Sequence, residues 1–250
     1  MNPSSYFRRA ALAVLPATLL LAACGKTDTP APTPAVDQGK VLISHAAAAA
    51  NTQITAFAND QQVGQLNYGQ STAYSNVNAG NATIRINNGS AVVASQAVTI
   101  AKDQNYSLFA YSPTATIGSA ALLAIPDDLT APAAGTAKVR LVYLGVGGAT
   151  PVRLSIPAAT PTGTPTDLTP DVAFGTASSF TVVNAGALSL SVTAAAAPRT
   201  PVVAVGDGTG AGTGSKTFES GKIYTIVVRG ISGSGVPAAQ QLQAVIIPNN

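Results

Sequence analysis

From Lys40 onward the chain reads as short apolar, β-branched runs broken by Gly, Asn and Pro. In one of them Ala82, Ile84 and Ile86 alternate with Thr83 and Arg85. Such a period of two predicts a strand with one buried face. Val41-Leu42-Ile43, Val98-Thr99-Ile100 and Tyr106-Ser107-Leu108-Phe109 predict further strands. Asn87-Asn88-Gly89 stands between two apolar runs. Its Asn-Gly pair predicts a type I′ hairpin turn, whose two central residues need positive φ. Ala46 to Ala50 is too short to nucleate a helix alone and reads as a loop or a single turn.

The second half repeats the first. One offset relates Tyr68-Gly69 to Phe174-Gly175, Tyr74 to Phe180, Val77 to Val183, and Asn78-Ala79-Gly80 to Asn184-Ala185-Gly186. It also sets Ala82, Ile84 and Ile86 against Leu188, Leu190 and Val192. An aromatic, a turn and a strand face in register indicate a duplicated unit. With changed offsets, Lys40-Val41 matches Lys138-Val139, Tyr106 matches Tyr224, and Ile125-Pro126 matches Ile247-Pro248. A unit of this length is a domain, not a solenoid repeat. The pattern predicts an all-β protein with two tandem antiparallel β-sandwich domains, immunoglobulin-like in layout and joined end to end. Domain 1 is placed at residues 40–129 and domain 2 at 136–250, with the boundary in Asp127 to Gly135. Two low-complexity loops, Pro157 to Pro170 and Gly206 to Ser215, lengthen the second unit.

The N-terminus has a different pattern. Arg8 and Arg9 precede an apolar run from Ala10 to Leu21 that contains Pro16. The run is too short for a permanent membrane span, which needs about 20 apolar residues. It ends in Leu21-Ala22-Ala23-Cys24-Gly25, which resembles the bacterial lipobox. The resemblance implies a lipoprotein signal peptide at residues 1–23, cleavage before Cys24, and lipid attachment at Cys24. The alternative is an ordinary secretory signal that happens to contain a cysteine. Two or more acyl chains would hold the protein stably to a membrane. Gly25 in place of aspartate favours the outer membrane in a Gram-negative host. Arg8-Arg9 resembles a twin-arginine signal, but the flanking residues fit that pattern poorly. Residues 24–39, with Thr-Asp-Thr-Pro-Ala-Pro-Thr-Pro-Ala, read as a disordered, semi-rigid Pro/Thr-rich tether.

Composition narrows the function classes. Lys and Arg number 13 against 10 acidic residues, and Arg8 and Arg9 leave with the signal, so the remainder is close to neutral. No basic patch is visible, and nucleic acid is not expected as a partner. Charged residues are 9% of the chain, against about 25% in ordinary globular proteins. Cys24 is the single cysteine, so neither unit is stapled by a disulfide and each must rest on its own core.

The repeated block resembles the bacterial DUF4397 family, a domain of unknown function. The residues that carry the likeness are Val41-Leu42-Ile43-Ser44-His45, with Val139-Arg140-Leu141-Val142-Tyr143 in the second copy, the aromatic-Gly pairs, and the Ala-Gly turns. Gly221, Lys222, Tyr224 and Thr225 belong to the same pattern. The resemblance implies secreted or surface β-sandwich modules and implies no activity. At His45 the chain departs from it, since Ala46 to Ala50 replace the usual Pro-Asp-Ala-Pro type of loop.

Candidate chemistry is sparse. His45 is the one histidine, too few for a zinc or copper site. Its counterpart is Tyr143, so it is read as a strand-end residue at the rim of the fold and not as a general base. Glu219 is the only glutamate, beside a predicted strand. Asp127-Asp128 is the only adjacent acidic pair, read as solvated linker. Paired carboxylates across a glycosidase cleft are therefore not expected. Gly206 to Gly212 lacks both the Lys-Ser/Thr of a phosphate loop and the acids of a calcium loop. Tyr68, Tyr74, Phe174 and Phe180 read as packing residues, with sugar stacking as the alternative. No catalytic residue, cofactor or metal is expected. The expectation is a non-enzymatic, lipid-anchored envelope protein that binds or spaces a protein or polysaccharide. A structural coat or stalk is the alternative, and an envelope hydrolase ranks third.

Overall fold

A computed structural model describes residues 36–116, 120–160, 163–206 and 214–250. Cys24, the signal peptide and most of the tether lie outside the described residues, as does most of the glycine-rich loop. The first half contains β1 (Gln38–Ala46), β2 (Ile54–Ala58), β3 (Gln61–Leu66), β4 (Ser75–Asn78), β5 (Gly80–Asn88), β6 (Ala91–Ile100), β7 (Asn105–Tyr111) and β8 (Ala121–Asp127). The second half contains β9 (Thr136–Tyr143), β10 (Val152–Ile156), β11 (Thr166–Asp167), β12 (Thr176–Ala177), β13 (Thr181–Asn184) and β14 (Gly186–Ser189). It continues with β15 (Ser191–Ala194), β16 (Pro201–Gly206), β17 (Ser215–Phe218), β18 (Ile223–Arg229) and β19 (Gln243–Pro248). The protein is all-β, with one 3-10 turn at Ala238–Gln240.

The first half folds into two four-stranded sheets, ordered β4-β1-β7-β8 and β3-β2-β5-β6. Val41, Ile43, Ala56, Ile84, Ile86 and Leu108 form the core between them. In the second half a nine-stranded sheet, with β11-β10-β15-β16-β19-β18-β9-β12 in order and β13 also on β9, curls into a half-barrel. It encloses Val139, Leu141, Tyr143, Leu154, Val192 and Ile226. β14 and β17 form a separate two-stranded ladder.

Two features correct the expected pair of antiparallel, immunoglobulin-like sandwiches. First, β1 runs parallel to β7, and β9 runs parallel to β18. Second, β16 pairs with β19 and joins the two layers of the second half into one sheet, a bond the first half lacks. The registers nevertheless correspond. Val41 faces Tyr106 and Val139 faces Tyr224; Tyr106 faces Pro126 and Tyr224 faces Pro248; Asn78 faces Gln38 and Asn184 faces Thr136.

End-to-end joining is corrected as well. Residues 36–250 form one compact unit, because the β4-β1-β7-β8 sheet lays its outer face on the β9-β18-β19 face of the half-barrel. Strand parity explains this directly. Side chains alternate between faces, so Leu108 and Ala110 point into the first core while Phe109 and Tyr111 point outward. On the other side Ile226 and Val228 point into the second core, and Val227 points outward. Phe109, Val142, Leu144, Val227 and Val245 meet in a third buried cluster. Burial of each contributes about 1.5–3 kcal/mol relative to exposure. β1, β7, β9 and β18 are thus covered on both faces, which is why their sequences carry long apolar runs.

Local expectations met mixed outcomes. Ala48 to Ala50 form a single turn, with the Ala50 N–H donating to Ala47 O. The β5–β6 hairpin forms, but its loop is Gly89-Ser90 and not Asn88-Gly89. A register shift between Ile86 and Asn87 leaves Val93 of β6 without a pairing partner, and in the loop only Gly89, at φ 58°, takes a positive φ. That is the pattern of a type II′ turn. β1 starts at Gln38, two residues inside the expected tether.

Candidate functional site

The polar side chains that sequence reading dispersed are gathered between the two halves. Asp127 ends β8 and Arg140 lies in β9, both on outward-facing positions. Their side chains are 0% and 1% exposed, and Arg140 Nη2 meets Asp127 Oδ1 at 2.5 Å. Asp127 Oδ2 accepts hydrogen bonds from Tyr74 Oη (2.5 Å) and Ser107 Oγ (2.8 Å). Arg140 Nε donates to Thr225 Oγ1 (2.8 Å), which donates to Asn249 Oδ1 (2.7 Å). Asn249 Nδ2 donates to Tyr74 Oη (3.0 Å) and closes the ring. The guanidinium carbon also sits 4.5 Å from the centre of the Phe180 ring. Asp127 is therefore not a solvated linker residue. It accepts from first-half hydroxyls and pairs with a second-half cation. Asp128 alone fits the expectation: it is exposed and paired with Lys138, whose hydrogen bond holds its carboxyl down at about 2.

The members of the network occupy corresponding registers in the two halves. Ser107 and Thr225 hold matching positions, as do Asp127 and Asn249, and Tyr74 and Phe180. Burial pulls the Arg140 pKa down, and the Asp127 charge opposes that pull. Burial, then the Asp127 charge, pushes the Tyr74 hydroxyl up to about 12.

A second cluster surrounds the other repeated aromatic. Arg229, in β18, stacks 4.8 Å from the Tyr68 ring centre, and Tyr68 meets His45 edge-on at 5.8 Å. In the matching place Phe174 packs edge-on against both Tyr111 and Tyr143. Each repeated aromatic therefore reaches across to the other half, Tyr68 to Arg229 and Phe174 to Tyr111. This is the geometry of an isologous dimer interface within one chain. The aromatics pack, as expected, but at the contact between halves and not inside a single core. Arg229 is buried, and among the described residues no carboxylate pairs with it; Nη2 reaches Gln243 Oε1 at 3.4 Å. Burial lowers its pKa and raises that of Tyr68 to about 12.

His45 is not at the rim. It is fully buried, with Nδ1 accepting from the Ala47 N–H (3.2 Å) and Nε2 donating to Thr52 O (2.9 Å). Burial first, and the Arg229 charge in addition, pull its pKa below the usual histidine value against the Thr52 hydrogen bond. A neutral imidazole with both nitrogens engaged pins the alanine turn. Glu219 is exposed after β17, and its N–H donates to Tyr224 Oη. Among the described residues, no group of three or more His, Cys, Asp or Glu side chains could hold a metal ion.

Gly69 shows how tightly the second cluster is built. It has φ +91°, and a Cβ there would fall on the Arg229 guanidinium. Gly175, at φ +76°, has only Tyr111 Oη nearby, at 3.2 Å. Gly69→Ala is expected to cost about 1–3 kcal/mol from backbone strain alone, plus the displacement of Arg229 from Tyr68. Gly175→Ala should cost less. Urea midpoints of the two variants decide the matter; equal losses would mean that Arg229 yields freely.

Sequence reading missed Arg140, Asp127 and Arg229 as a set because charge gave no reason to bury them. The available signal was the place of Arg140 and Arg229 within strands that are apolar on both faces.

No curated protein matches the chain. Among solved structures it is similar to one from Bacteroides eggerthii that is described as a candidate cell adhesion protein. The identity is 11% over 85% of this chain and 96% of that one, with a TM-score of 0.22. A superposition that poor carries no weight for fold or role. Residues 21–147 match the family described as Domain of unknown function (DUF4397). That stretch spans the whole first half and β9, whose Arg140 closes the network between the halves, and the chain belongs to the DUF4397 family.

Proposed function

We propose that this protein is a lipid-anchored, non-enzymatic envelope protein whose folded part is a rigid binding or spacing module for a protein or polysaccharide partner. The observation that carries this reading is the ring of Tyr74, Ser107, Asp127, Arg140, Thr225 and Asn249. It commits the best candidates for acid–base chemistry to holding two halves together. A body braced in this way keeps its length under load, as a spacer must, and presents a fixed surface to a partner. A structural coat or stalk would draw on the same rigidity and is the second reading.

The two halves are read as copies of one ancestral unit, with domain 1 at 40–129 and domain 2 at 136–250. The matching registers at Val41–Tyr106 and Val139–Tyr224 support this. Lipid on Cys24 would tie the protein to the membrane, in the outer membrane if the host is Gram-negative. The lipobox-like Leu21-Ala22-Ala23-Cys24 supports that reading.

Cys24→Ser is the test of the anchor. Wild type should incorporate labelled palmitate and sediment with membranes, while the variant should persist as unlabelled precursor. Normal processing and membrane retention in the variant would refute the anchor. Cross-linking on intact cells followed by pull-down, together with a glycan array, tests the binding role; no partner in either assay favours the stalk. For the hydrolase alternative Glu219→Gln is the clean probe and should leave every phenotype intact. Removing His45 would test folding instead, since its ring is fully buried and satisfies the buried Ala47 N–H as well as the Thr52 carbonyl.

A further inference from the structure

We propose that a hollow at one end of the first half is a binding site for hydrocarbon, namely the terminal segment of an unbranched acyl chain. The hollow, of about 240 Å³, lies between the alanine turn and strands β2, β5, β6 and β7. Ile54, Ile86 and Ala110 form its buried floor, Ala47 and Ala49 a wall, and exposed Thr52 and Asn88 its rim. Among the described residues no charged side chain lines it.

The second half shows that the framework does not require a void here. Val228 stands where the first half has Ala110, and Leu242 where it has Ala120. Leu242 drives into the matching space. Its Cδ2 lies 2.6 Å from where a Cβ on Gly145 would sit, and its Cδ1 lies 3.3 Å from that of Gly148. In the first half Ala47 and Ala50 stand where the second half has Gly145 and Gly148, so their methyls take part of that space, and shortening Leu242 to Ala120 leaves the rest open.

The entrance differs in the same sense. In the second half the β16–β19 ladder seals the side of the fold. In the first half β6 and β8 belong to different sheets. Among the described backbone bonds only the Ala120 N–H, donating to Val93 O at 3.4 Å, crosses that seam.

Size and lining set the ligand. An apolar cavity of about 150 Å³ holds benzene, so in proportion this one takes about ten carbon atoms. Alanine, isoleucine and valine walls offer only dispersion and desolvation to a guest. A linear seam admits a slender chain, and a carboxylate or head group would stay outside, beside Thr52 and Asn88. The acyl chain could be a free fatty acid or one already carried by this protein. The site does not depend on the anchor reading.

The test is calorimetric titration of decanoate into the full-length Cys24→Ser chain, with Ala110→Val and Ala120→Leu introduced singly and together. The unfilled chain should bind decanoate saturably at one site. The doubly filled chain should bind about tenfold or more weakly and melt no lower. Alanine methyl NMR on the unfilled chain keeps the test independent of the variants: decanoate should shift Ala47, Ala49, Ala50, Ala110 and Ala120 and no other alanine. If the lipidated protein refuses decanoate, its own acyl chain occupies the site; if it accepts, the natural ligand is a separate lipid. No binding to the unfilled chain, equal binding by the filled one, or methyl shifts elsewhere would overturn the proposal.

Discussion

Replacing Arg140 with alanine is expected to lower the unfolding free energy by about 3–5 kcal/mol, and replacing Asp127 with alanine by a similar amount. Neither side chain has solvent access, so each single change strands a charge that water cannot reach. Arg140→Ala leaves Asp127 with only the Tyr74 and Ser107 hydroxyls. Asp127→Ala leaves the guanidinium with Thr225, Phe180 and the Pro126 carbonyl. Removing both charges together should cost far less than the sum, because buried ion pairs barely outweigh their own desolvation. The corresponding registers of the two halves name the replacement pair. Asn249 stands at the position matching Asp127, and Leu42 at the position matching Arg140. Arg140→Leu combined with Asp127→Asn should therefore return most of the lost stability. Urea unfolding of the two singles and the double, followed by tyrosine fluorescence, gives the coupling energy. Single losses within about 1 kcal/mol that simply add would show that water reaches the pair.

The strands and the internal correspondence were legible because both rest on local pattern. The alternation of Ala82, Ile84 and Ile86 placed β5, and those residues do face the core. The offset joining Tyr74 to Phe180 brought β4 and β13 to matching places beside β1 and β9. What local pattern could not supply was the second face. Leu108-Phe109-Ala110 and Ile226-Val227-Val228 have no polar side at all, and such a run marks a strand buried on both faces. Read that way, they would have ruled out two sandwiches joined only at their ends. The polar network was harder to see, since Arg140 and Asp127 are buried only because each supplies the other's charge. Their separation in sequence is bridged by the packing of the halves, which no motif records. The turn at Gly89 differs more locally: Asn88 pairs with Ala91 as the last rung of the ladder, so the two-residue loop is Gly89-Ser90.

The halves should come apart in alkali. Burial holds the Tyr68 hydroxyl at about 12, and burial with the Asp127 charge does the same for Tyr74; burial also raises Tyr143. An unfolded tyrosine titrates near about 10. Between the two values the unfolded chain sheds protons that the folded chain keeps, so the unfolded state gains. Stability is thus fully present below about pH 10 and falls as pH climbs toward about 12. Each fully shifted tyrosine removes about 1.4 kcal/mol per pH unit across that window. The informative quantity is the difference between wild type and phenylalanine variants. Phe174 and Phe180 already occupy the matching positions in the second half, which makes Tyr68→Phe and Tyr74→Phe changes the scaffold can accept. Tyr68→Phe loses little at neutral pH, where Arg229 can stack on either ring, and should flatten the alkaline decline. Tyr74→Phe should flatten it too, but from a lower neutral stability, because Asp127 and Asn249 each lose a hydrogen-bond partner. Urea midpoints taken from about pH 8 to about pH 12 on the three proteins separate these effects. Parallel curves would mean that neither hydroxyl is sealed between the halves.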